Sequence, residues 1–132
     1  MRVKHICLAL LCTVAIAYLA MHTIMRKSTS HAIINAVENA SVIVYKGYGH
    51  AKPCTVVLTR EIKADINKEI VESEFSYWGR KGVGLGFLSL QDKDSNELLS
   101  IGVLNKKCID VDRRQFRLNR DIRVILGVSE RQ

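Results

Sequence analysis

Apolar positions along this chain follow three successive patterns. From Ile6 to Met25 they are almost continuous: the run holds no Asp, Glu, Lys or Arg, and Arg26 and Lys27 end it. About 20 such residues cross the roughly 30 Å hydrocarbon core of a bilayer as a helix. The pattern then turns periodic. Ile33, Ala36, Val37 and Ala40 recur at helical spacing, behind a Ser28-Thr29-Ser30 run able to cap a helix start. Ile62, Ile66 and Ile70, widened by Val71, make a second stripe, with Thr59 as its N-cap and Glu61 in the first turn. This second helix is expected to end before Gly79.

Elsewhere the pattern is that of strands. Ser41–Tyr45 and Cys54–Thr59 are β-branched runs separated by a Gly- and Pro-containing turn, which predicts a hairpin. Val83–Leu90, Leu98–Leu104, Cys108–Asp112 and Gln115–Leu118 follow as a meander, broken by Asp92–Asn96, Asn105–Lys107 and Arg113-Arg114. Asn119–Leu126 fits a short helix or a last strand. Two helices, a hairpin and a meander predict an α+β fold, with an antiparallel sheet packed against one or two helices. The expected division is an anchor or signal segment over residues 1–27 and one small domain over 28–132.

The element order across residues 32–118, carried by SVIVYKGYG, CTVVLTREIKADINKEI and GFLSLQDKDSNELLSIGVLNKKCIDVDRRQFRL, resembles small exported, membrane-attached bacterial domains of unknown function. The resemblance implies attachment by a lipid or a membrane helix and includes no catalytic motif, so it assigns no site residues. Leu11 precedes Cys12, where a lipid-attachment cysteine follows a small residue. That departure favours a helical anchor.

The N-terminal run supports two readings. As an anchor it is retained, and residues 28–132 lie outside the cytoplasm. As a signal peptide it is cut after Ala15-Ile16-Ala17, and the domain is secreted. The chain stays apolar from Tyr18 to Met25, beyond that cut, which favours the single-pass anchor. Charge changes little. Four of the 20 basic residues lie in the leader and all 13 acidic residues after it, so the remainder carries 16 positive against 13 negative charges. That balance gives no reason to expect nucleic acid as a partner.

Cys54 and Cys108 are the two cysteines beyond the leader. In an oxidising compartment they are the one possible intramolecular pair. The disulfide would close a loop of ~55 residues and contribute up to roughly 4 kcal/mol.

Candidate chemistry is sparse. Gly82-Val-Gly-Leu-Gly86 lacks both dinucleotide and P-loop spacing and fits a strand entry in which Gly84 and Gly86 allow close packing. Asp92, Asp94 and Asn96 imitate the start of a calcium loop, but Glu97 and Val103 stand where Gly and Glu belong. His31 and His50 have no recognisable nucleophile context. No enzyme activity, cofactor or metal is expected. Two stretches suit protein binding. Tyr77, Trp78, Arg80 and Lys81 lie between a helix and a strand, and Arg113, Arg114 and Arg117 belong to an arginine-rich tail. The expected function is that of a membrane-tethered extracytoplasmic binding or accessory module whose partner is another envelope protein. The alternative is an inhibitor or immunity protein acting on an envelope enzyme or toxin.

Overall fold

The computed structural model describes residues 2–49, 52–76 and 84–128. Its first element, α1, runs unbroken from Arg2 to Asn39. At 1.5 Å per residue these 38 residues extend ~57 Å. The helix expected to begin at Ser28-Thr29-Ser30 is therefore the continuation of the apolar one. Those three residues lie mid-helix, where Thr29 is buried and accepts a hydrogen bond from Arg114 Nη1 at 3.2 Å. A Ser/Thr run caps a helix only where the backbone ahead of it leaves helical geometry. Here it does not.

β1 (Val42–Gly47), β2 (Cys54–Val57), α2 (Arg60–Glu72), β3 (Glu74–Ser76), β4 (Gly86–Gln91), β5 (Glu97–Val103), β6 (Cys108–Val111), β7 (Arg114–Arg117) and α3 (Ile122–Ile125) complete the described elements. The fold is α+β. All seven strands join one antiparallel sheet in the order β2-β1-β4-β5-β6-β7-β3. The β1–β2 hairpin and the meander lie where the sequence pattern puts them. β3 is an addition: Glu74–Ser76 pairs with β7, Phe75 opposite Phe116. The ambiguous tail resolves as a short helix capped by the Asp121 side chain, which accepts from the Arg123 N–H.

Period-two alternation decides which face of each strand is buried. Ile43, Leu88, Leu90, Ile101, Val103, Ile109, Val111 and Phe116 point to one side. They form a single apolar cluster with Ile33, Val37, Ile66, Ile70 and Ile122 of the three helices and Leu126 at the end of α3. α2 lies alongside α1: Lys63 Nζ donates to Glu38 O at 2.9 Å near one end, and Arg26 Nη2 to Ser73 O at 2.8 Å near the other. Rising numbers on α2 thus meet falling numbers on α1, so the pair is antiparallel.

From Gly84 onward the glycine stretch is a strand entry. Gly86 opens β4 opposite Gly47, and a Cβ there would lie 2.4 Å from Lys46 O. At Gly84 a Cβ would lie 2.6 Å from Val103 O. Both positions exclude a side chain because neighbouring backbone occupies its place, and the stretch opens no helix on which phosphate would sit.

Glu69 is the buried carboxylate that joins α2 to the chain after β7. It accepts from the backbone N–H groups of Asn119 (3.0 Å) and Arg120 (3.3 Å) and from Arg120 Nε (2.8 Å). Burial pushes its pKa up. The Arg120 side chain and the two N–H groups together outweigh that and hold it below the ordinary 4.5. A depressed folded-state value stabilises the fold fully above 4.5, and the contribution is lost as pH falls through the lower folded value. Asp92 is shifted the same way, first by the Asn96 N–H. Urea unfolding followed downward from neutral pH should show stability falling below about 4.5. Glu69→Gln should flatten part of that fall, and Glu69→Ala should cost about 2 kcal/mol at neutral pH by stranding its donors.

Candidate functional site

Two regions frame the candidate site: the exposed half of α1, and the outer face and rim of the sheet, where Cys108, Arg113 and Arg117 lie.

Residues 2–21 of α1 are exposed along their whole length. The most apolar 18-residue window has a mean hydropathy of 2.0 and none of it is buried. Among the described residues α1 is the one helix long and apolar enough to cross a membrane. Among the described residues its contacts with the domain begin at His22. The His22 ring meets Phe75 edge-on at 5.1 Å between centroids, and Nε2 lies 3.2 Å from Phe75 O. Phe75 in turn packs on Phe116 at 5.1 Å. One turn further along, Arg26 Nη2 donates to Ser73 O and, at 3.4 Å, to Val71 O. Arg26 thereby satisfies carbonyls at the C-terminal end of α2, where a cation suits the helix dipole.

The expected disulfide is absent. Cys54 and Cys108 are both free thiols. Cys54, opposite Tyr45, packs toward the apolar cluster, while Cys108 alternates with buried Ile109 and so faces the other side of the sheet. Their strands are four places apart in the sheet order, roughly 19 Å at about 4.8 Å per strand. A disulfide needs Cα atoms within ~7 Å. Strand-like surroundings located both residues correctly but carried no information on which strands neighbour each other.

The arginines diverge as well. The β6–β7 turn places Asp112 (φ 50°) and Arg113 (φ 67°) in the left-handed region, the requirement of a two-residue type I′ turn. Two non-glycine residues hold it there, with the Arg113 N–H donating to Asp110 Oδ1 at 2.8 Å. The Arg113 side chain is exposed at the tip. Arg114, opposite Val111, turns to the helical side and reaches Thr29. Arg117 is exposed between Cys108 and Glu74, its cross-strand neighbours. With Asn105, Lys106, Lys107 and Cys108 it lines a shallow basic hollow. Arg120 pairs with Glu69, and Arg123, buried, with Asp121 at 2.8 Å. Five arginines near in sequence therefore point in several directions, each set by strand alternation or by an acidic partner. Tyr77, Trp78, Arg80 and Lys81, and also His50, lie outside the described residues.

Asp92–Asn96 is a hairpin turn. Asp92 Oδ1 accepts from the N–H groups of Asp94 and Asn96, each at 2.9 Å, so the acid is spent on its own backbone. Among the described residues no group of three or more His, Cys, Asp or Glu side chains could hold a metal ion. The chain matches no known family model, no curated protein and no solved structure.

Alkylation of the purified protein, unfolded without reductant, should add four adducts, one for each of Cys7, Cys12, Cys54 and Cys108. Two adducts rising to four on reduction would restore the disulfide.

Proposed function

We propose that this chain is a single-pass membrane protein whose α+β domain acts outside the cytoplasm as a binding or accessory module for another envelope protein. The observation that carries this reading is the shared helix: an exposed apolar half and a half buried in the core belong to one uninterrupted α1. A cleavage after Ala17 would leave Tyr18–Met21 as an exposed apolar end on the helix that the core depends on. The retained anchor avoids that.

Orientation rests on charge. Arg2 and Lys4 precede the span, and their side of the membrane is the cytoplasmic one by the positive-inside tendency. Arg26 and Lys27 follow the span, and Arg26 is held on the domain's side by the carbonyls of Val71 and Ser73. For partner binding the basic hollow at Arg117, Lys106 and Lys107 and the exposed Arg113 supply charge on the uncovered side of the sheet and at its rim. Arg114, turned toward Thr29, supports the fold beside them. Tyr77, Trp78, Arg80 and Lys81 remain part of this proposal on composition: aromatic and arginine side chains dominate binding hot spots.

Lys93→Cys puts a thiol on the exposed tip of the β4–β5 turn. A membrane-impermeant maleimide should label it in intact cells, and the protein should resist alkaline extraction from membranes with an intact mass near 14.9 kDa. Labelling only after lysis would reverse the orientation. A chain starting at Tyr18 would replace the anchor by a signal peptide.

A further inference from the structure

We infer that the domain stands edge-on against the bilayer, with β3 in the lipid headgroup layer and β2 at the far rim. The inference rests on the anchor reading and adds to it a second interaction surface, between the sheet edge and lipid headgroups.

The contacts of α1 give its course. At His22 it meets Phe75 of β3, at Thr29 it meets Arg114 of β7, and it also approaches β5. It ends at Asn39, from which Ala40 and Ser41 lead into β1. From His22 to Asn39 is a rise of ~26 Å. From β3 to β1 the sheet order counts five strand spacings, ~24 Å. The two lengths agree because the helix runs across the strands rather than along them. The exposed half of α1 must then leave the domain past β3, the last described strand at that end of the sheet. With the span upright in a bilayer, the strands lie parallel to the membrane plane. β3 is nearest to it, and β2 is six spacings away, ~29 Å.

Depth follows from length. The apolar residues Ile6–Met21 that precede the first contact with the described part of the domain supply only ~24 Å of helix, against a hydrocarbon core of ~30 Å. No spare helix separates the domain from the lipid. A span that short draws the domain onto the surface. His22 and its partner Phe75 come to the boundary, and the outward edge of β3, whose backbone groups face away from β7, meets hydrated headgroups. Headgroups and their water can satisfy the backbone N–H and C=O groups of such an edge, which the hydrocarbon core cannot. The exposed Val71, at the end of α2 that Arg26 reaches, adds an apolar contact near the same level.

The test places an environment-sensitive fluorophore on Glu74→Cys in β3 or on Thr55→Cys in β2, with the four native cysteines replaced by alanine. The full chain is reconstituted in phosphatidylcholine vesicles carrying a headgroup nitroxide. Blue-shifted, quenched emission from position 74 and solvent-like, unquenched emission from position 55 are expected. Wild-type protein with a diazirine-headgroup lipid provides a second measurement that needs no substitution: cross-links should map to β3 and be absent from β2. Solvent-like emission at both positions, or cross-links in β2 as often as in β3, would overturn the edge-on placement while flotation with the vesicles upholds the anchor. Loss of flotation would overturn the anchor itself.

Discussion

One helix serves two solvents, and most of the structure depends on it. The first half of α1 is exposed and apolar; the second half buries Ile33, Ala36 and Val37 in the centre of the domain. No flexible linker divides them, so any placement of the span also orients the sheet. The helix can bear this double role because its faces differ along its length. From Arg2 to Met21 every side chain is exposed, whereas beyond it His22, Arg26, Thr29, Ile33, Ala36, Val37 and Ala40 follow helical spacing on the side that meets α2 and the sheet.

Polar contacts tie the remaining elements to this axis. Arg26 closes the end of α2, Lys63 reaches the carbonyl of Glu38, and Arg114 reaches Thr29. Glu69 performs the corresponding task on the other side of α2, gathering the segment after β7 through three hydrogen bonds. Because Glu69 is buried and its neighbours Asn119 and Arg120 are fixed by it, the pair matters more than a surface ion pair of the same length would. The basic character of the chain is therefore unevenly available. Arg26, Arg114, Arg120 and Arg123 are committed to partners within the fold, while Arg113, Arg117, Lys106 and Lys107 face solvent.

Much of the fold was legible from period alone. Alternation in residues 41–59 and 86–118 located six of the seven strands, and the Ile62-Ile66-Ile70 stripe located α2. What period could not supply was adjacency. Cys54 and Cys108 each occupy a strand as expected, yet pairing across the sheet sets them on opposite faces with three strands between. Glu74–Ser76 is too short to show alternation, and it became a strand because Phe75 finds Phe116 opposite. At Ser28-Thr29-Ser30 the cap propensity that suggests a break is overridden by the stripe that runs through it. His22, Arg26, Thr29 and Ile33 were a sufficient signal of continuity. The arginine tail shows the converse: nearness in sequence on a strand and turn means divergence in space.

Hydrogen–deuterium exchange of the full-length protein in nanodiscs tests the shared helix most directly. Slow exchange should run without interruption from the span through Thr23, Arg26 and Thr29 to Val37, since every amide in that stretch is bonded within α1. Fast exchange confined to residues 26–30, flanked by protection on both sides, would show two helices joined by a hinge and would contradict the single axis.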